Sequence, residues 1–129
     1  MVPLPPPSPL PEFVYKITPT TPPDPIPEQY PLSDLDRQDG FVHLSVSWQI
    51  PITADLFFKG AISFYVLKLR LANLDPSTVK WDEVDGTNGC PHLYGNFGAQ
   101  DVVSVREFRR GEGQTWQEAL EAEKGWLEY

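Results

Sequence analysis

The sequence predicts one α+β domain with a few short helices. Three observations carry that expectation. The chain has 129 residues, enough for one hydrophobic core and too few for two. Runs rich in β-branched and aromatic residues recur between turn-forming clusters, as short strands do. Helical patterning is confined to a stretch after Ser47 and to the last fifteen residues.

The elements follow in order. Twelve of the fifteen prolines fall before residue 32. Residues 1–12 are proline-rich without a periodic apolar face, so they are expected as an extended, mobile tail, leaving 13–129 as the single domain. Phe13–Ile17 has strand chemistry. Residues 18–31 carry six prolines, which excludes a continuous helix or a central strand. Ser33–Gly40 is acidic and turn-like. Phe41–Ser45 is a short strand in which Phe41, His43 and Ser45 share one face and Val42 and Leu44 the other. Residues 47–59 suit a helix with Ser47 as N-cap and a stripe including Ile52, Leu56 and Phe57. Ile62–Leu71, apolar until Lys68, reads as the central buried strand. A turn at Asn73–Pro76 precedes a strand over Val79–Val84, and Asp85–Gly89 has loop chemistry. Further strands are expected at His92–Tyr94 and Val102–Phe108. Thr115-Trp116-Gln117-Glu118 matches a capping box, opening a helix that packs through Trp116, Ala119 and Leu120 and stops by Gly125.

Composition narrows the function classes. Ten basic residues face eighteen acidic ones, for a net charge of −8. Nucleic-acid binding draws most of its affinity from basic side chains releasing counterions, so nucleic acid is not an expected partner. Arg106, Arg109 and Arg110 form one local basic group, which a solvated strand end explains equally well. No apolar run approaches the roughly 20 residues that span a bilayer, so no membrane partner is expected. The N-terminus lacks the features of a signal peptide, and the single cysteine, Cys90, fits a reducing compartment; the expected location is cytoplasmic.

Two histidine-centred segments carry the chemistry: Gly40-Phe41-Val42-His43-Leu44-Ser45 and Pro91-His92-Leu93-Tyr94-Gly95. Each places a histidine in a short strand beside a glycine-marked bend, with a hydroxyl nearby: Ser45 for His43, Tyr94 for His92. Imidazole donates, accepts or exchanges a proton near neutral pH. Gly40 and Gly95 allow a ligand close to the backbone. A structural role is the alternative for either histidine alone. If the two strands are neighbours, both rings converge on one site. Cys90, His92 and His43 make a poor chelating set, and no metal is expected. Trp81-Asp82-Glu83 offers two carboxylates that face opposite sides of a regular strand, so one alone can enter the site.

These residues carry a resemblance. Asp39–Ser45 with Gln49, then Lys80-Trp81-Asp82-Glu83, then Pro91–Gly95, together with the Tyr15-Lys16-Ile17 strand, resemble the family called domain of unknown function 952 over roughly residues 13–108. The resemblance implies an ADP-ribosyltransferase-like fold, in which two small mixed or antiparallel sheets are split around a cleft. It also implies that His43 stands where the transferases hold a ribose of NAD, and that His92 and Tyr94 line the same cleft. Glu83 and Glu107 are the candidates for the carboxylate that steadies a ribosyl cation.

The expected function is therefore a small-molecule pocket, acting on NAD or a related nucleotide at the ribose. His43, His92 and Glu83 are the catalytic candidates, and Phe41, Ser45, Trp81 and Tyr94 the ligand-binding ones. Two alternatives stand beside it: a non-catalytic ligand-binding module, and a lyase, isomerase or hydrolase using the histidine pair as acid and base. Oligomeric state is left open by the sequence.

Overall fold

The computed structural model describes residues 2–84 and 87–129. Its strands are β1 (Pro3–Leu4), β2 (Phe13–Thr18), β3 (Val42–His43), β4 (Ser63–Arg70), β5 (Val79–Asp82), β6 (Cys90–Leu93) and β7 (Val102–Arg109). The helices are α1 (Asp34–Asp39), α2 (Ile50–Phe57) and α3 (Trp116–Glu121). The strands form two antiparallel sheets, ordered β1-β5-β6-β3 and β2-β4-β7. This is an α+β fold with few helices.

Side-chain alternation builds the layers. Val42, Trp81 and Leu93 point from the four-stranded sheet into a core shared with Val14, Leu67 and Leu69 of the three-stranded sheet. The other face of that second sheet, through Phe13, Tyr15, Phe64, Val66 and Phe108, packs on Ile50 and Ala54 of α2 and Trp116 and Leu120 of α3. β4 lies between β2 and β7, as its apolar run predicts. With both faces covered, only Lys68 and the terminal Arg70 carry charge.

Four expectations are corrected. Residues 2–12 do not form a detached tail. Pro3 and Leu4 pair with Asp82 and Trp81 at the edge of the first sheet, the Glu83 amide donates to the Val2 carbonyl at 2.8 Å, and the Tyr129 hydroxyl donates to the Pro9 carbonyl. Backbone pairing at a sheet edge needs no apolar periodicity, and proline is tolerated on an edge strand.

Residues 34–39 are helical rather than turn-like. The Ser33 hydroxyl accepts from the Asp36 amide, Asp34 and Asp36 sit in the first turn, and Gly40 ends the helix at φ +82°. These are helix-terminus signals. The apolar stripe that usually reveals a helix is missing, since its one aliphatic residue, Leu35, is exposed.

α2 starts at Ile50 after a single 3₁₀ turn, so Ser47 is not its cap. Its packing face is Ile50 and Ala54, four apart, with Phe58 next in line against the same core. Leu56 and Phe57 are exposed.

The capping box at Thr115 forms as expected, with the Thr115 hydroxyl accepting from the Glu118 amide and Glu118 accepting from the Thr115 amide. Regular helix ends at Glu121, short of Gly125. In the loop expected over 85–89, Asp85 and Gly86 lie outside the described residues.

Candidate functional site

The register of the first sheet brings the two histidine segments together. β3 and β6 pair with His43 directly opposite His92, and β5 and β6 pair with Lys80 opposite His92. Lys80, His92 and His43 thus form one row across three strands. By alternation Asp82 shares their face, whereas Trp81, Leu93 and Val42 point into the core on the other. The imidazole centroids are 5.3 Å apart.

His92 is the buried member, 3% exposed. Its Nδ1 lies 2.8 Å from Asp82 Oδ2, on a carboxylate that is itself buried. A carboxylate only accepts, so Nδ1 carries the hydrogen and Nε2 carries the lone pair. The Tyr94 hydroxyl donates to the same Oδ2 at 3.0 Å. Among the described residues nothing hydrogen-bonds Nε2. Burial pushes the His92 ring below its ordinary range and the neighbouring His43 adds to that, while Asp82 and Asp39 pull the other way. The ring is thus neutral at pH 7, with a basic nitrogen that has no partner among the described residues. Burial and the hydrogen bond to Asp82 raise the Tyr94 hydroxyl, keeping it protonated as a donor.

His43 is bound differently. Its Nδ1 is 2.7 Å from Asp36 Oδ1 and its Nε2 is 2.9 Å from Asp39 Oδ2. Each ring nitrogen thus faces a carboxylate, so whichever nitrogen carries a hydrogen has an acceptor for it. Asp36 also accepts from Lys16 Nζ at 2.8 Å and from the His43 amide at 3.3 Å. Burial alone would raise the Asp36 carboxyl, but the bonds from His43 and Lys16 outweigh it and hold the group at about 2. The short helix α1 thus delivers two carboxylates, at Asp36 and Asp39, around one imidazole.

Phe41 ties the two halves. Its ring stacks on His92 at 4.2 Å with 20° between planes, and lies 4.6 Å from His43 and 5.1 Å from Tyr94. Lys80 Nζ sits 4.9 Å from the centre of the Tyr94 ring. His43 and Tyr94 are the partly exposed members of the cluster.

Of the expected site residues, Phe41, His43, His92 and Tyr94 come together. Three others do not. Glu83 is exposed and, among the described residues, makes no side-chain bond to either histidine; strand alternation gives the site Asp82 instead. Trp81 is 6% exposed and belongs to the core. Ser45 is buried and exchanges backbone hydrogen bonds with Tyr15 at 2.8 and 2.9 Å, and its hydroxyl is bonded to none of the cluster. Gln49, fully buried, has a supporting role: Nε2 donates to the carbonyls of Thr87 and Gly89, and Oε1 accepts from the Val46 amide. This braces the strand after His43 against the approach to β6. Asp36, Asp39 and Lys16 were not among the expected site residues, although Asp39 and Lys16 lie in the segments that carry the resemblance; the Ser33–Asp36 cap and the Asp39-Gly40 step just before Phe41 were the available signals.

Other candidates are occupied or lack the geometry. Burial raises the Cys90 thiol, a poor state for a nucleophile. Arg106 pairs with Glu123, Arg109 with Glu107, and Arg110 donates to backbone carbonyls including Ala61, so these three arginines form no open anion site. Among the described residues no group of three or more His, Cys, Asp or Glu side chains is arranged to hold a metal. No helix among them is long and apolar enough to cross a membrane.

The family model described as a protein of unknown function (DUF952) matches residues 25–105. The fold is similar to the crystal structure of protein CC0527 from Caulobacter crescentus, with a TM-score of 0.71 and 24% identity, covering 88% of this chain and 98% of that one. The solution structure of the same protein gives a TM-score of 0.66 at 24% identity, covering 87% and 96%. No curated protein matches the chain.

Proposed function

The chain belongs to the DUF952 family, a family of unknown function, and we propose that its histidine cluster is the acid–base centre of a small-molecule site, with His92 as general base. The observation that supports this is the Asp82–His92 pair: a buried carboxylate fixes Nδ1–H and leaves Nε2 unpartnered among the described residues. That arrangement orients an imidazole and stabilises the imidazolium formed when it takes a proton. His43 stands beside it, its ring held in place by Asp36 and Asp39. Phe41 and Tyr94 supply aromatic surface for a planar group. Substrates of this chemistry are small hydroxy or carbonyl compounds, with proton abstraction or addition–elimination as the reaction class.

A second reading follows from the sequence resemblance: an ADP-ribosyltransferase-like cleft that takes NAD or ADP-ribose. The proximity of His43, Phe41 and Tyr94 favours it. Against cation-stabilised ribosyl transfer, the carboxylates Asp36, Asp39 and Asp82 are all engaged with the histidines.

One experiment tests both. The ¹⁵N-labelled protein is titrated with NAD, ADP-ribose, nicotinamide and a panel of small hydroxy and carbonyl compounds at millimolar concentration. At least one compound is expected to shift the resonances of Phe41, His43, His92 and Tyr94 together, and His92→Gln is expected to weaken it by about tenfold, the worth of one good hydrogen bond. Shifts from NAD or ADP-ribose at these residues support the second reading. Shifts from the small compounds alone support the first. No perturbation at the cluster by any of them contradicts both.

A further inference from the structure

A second concavity lies away from the histidines. The chain from Pro6 to Glu12 crosses the segment Arg70–Pro76 and the start of β5, enclosing a cleft of about 540 Å³. Its walls are largely apolar, formed by Pro6, Leu10, Leu71, Leu74, Val79 and Trp81. The charged lining residues are Arg70 and Glu12, whose ion pair closes at 2.7 Å with both side chains well exposed. The volume falls within the ~300–1,000 Å³ typical of small-ligand sites. Trp81 lines it, and the adjacent Asp82 faces the other way, onto His92, so this cleft and the histidine cluster are separated by the sheet itself.

We propose that this cleft binds an amphipathic monocarboxylate, with its aliphatic or aryl body on the apolar walls and its carboxylate on Arg70. Three features point to that chemistry. Leu10 at the rim is 58% exposed, so an apolar occupant removes from water a surface the protein leaves wet. The Arg70 guanidinium is braced over the Phe13 ring at 5.1 Å, presenting a flat fork that a carboxylate meets with two parallel bonds. Its present partner, Glu12, holds it through an exposed ion pair, a weak interaction that a ligand anion can displace. Glu12 itself is 61% exposed and among the described residues has no comparable brace, so the cleft selects an anion over an amine.

The test uses the full chain and 8-anilinonaphthalene-1-sulfonate, an aryl monoanion whose fluorescence rises in apolar surroundings. Saturable binding is expected, reversed by octanoate, with 1-octanol and octylamine at least about tenfold weaker, the factor a charge-assisted hydrogen bond supplies. Arg70→Gln should bring octanoate down to the level of octanol. Ala72→Trp, at an exposed lining position, should fill the cleft and abolish displacement, with thermal melts confirming that both variants fold. Should Ala72→Trp fail to fold, the octanoate–octanol comparison in wild type and Arg70→Gln still decides. Non-saturable dye binding, octanoate no tighter than octanol, or an unchanged affinity in Arg70→Gln would overturn the proposal.

Discussion

Replacing Asp36 by alanine is expected to destabilise the protein by about 3–5 kcal/mol, the range seen when one partner of a buried ion pair is removed. The carboxylate is 2% exposed and faces Lys16, whose side chain is 9% exposed, and His43. Without it a buried ammonium loses its counter-charge, the His43 ring loses one of its two carboxylates, and the His43 amide loses an acceptor. The same geometry fixes a pH dependence. The carboxyl is held at about 2 against an ordinary 3.8, so its contribution is complete above pH 3.8 and is lost as the pH falls from there toward 2. Urea melts of wild type and Asp36→Ala check both parts. The gap between the two should be several kcal/mol at pH 7 and smaller at pH 3. A gap under about 1 kcal/mol at pH 7, the level of an exposed ion pair, would contradict it.

Gly98→Ala is the second large effect. A Cβ at Gly98 would lie 1.7 Å from the Glu28 carbonyl oxygen and 2.4 Å from its carbon. Both are backbone atoms, so one of the two segments must move as a whole. Their contact carries the hydrogen bonds from Ala99 to Pro27 and from Tyr30 to Phe97, and the Tyr30–Phe97 stack at 4.8 Å. Overpacking a core typically costs about 1–3 kcal/mol; a backbone clash at buried aromatics belongs at the top of that range or above it. The melting midpoint should fall by about 5–15 °C. A fall under about 2 °C, well below 1 kcal/mol in a domain of this size, would show that the two segments separate freely.

Much of this architecture was legible where the pattern is strong. The buried run at 63–70 and the capping box at Thr115 each announce one element. The proline-rich loop 18–31 was legible as lacking regular structure. What pins that loop was not, because a glycine's close approach to a carbonyl 70 residues away leaves no local mark. The pairing of Pro3 and Leu4 with β5 was not legible for a related reason, since edge pairing acts through the backbone, which composition does not report.

The site divides along the same line. The two histidine segments and Phe41 stood out because glycine, imidazole and aromatic residues were adjacent in sequence. Which carboxylates serve them depended on register. Asp82 and Glu83 differ by one position, and only the pairing of Lys80 with His92 decides that Asp82 reaches the imidazole. Asp36 and Asp39 depended on recognising a six-residue helix that exposes its one aliphatic side chain.

The central claim is that Asp82 holds His92 with Nδ1 protonated and Nε2 free to accept a proton. Long-range ¹H–¹⁵N correlation of the imidazole nitrogens tests it directly, because the chain has two histidines and His92→Gln assigns them. At pH 7 His92 is predicted to be neutral, with its hydrogen on Nδ1 and a bare Nε2, and to titrate below the ordinary 6.5. A His92 ring carrying its hydrogen on Nε2, or doubly protonated at pH 7, would contradict the account.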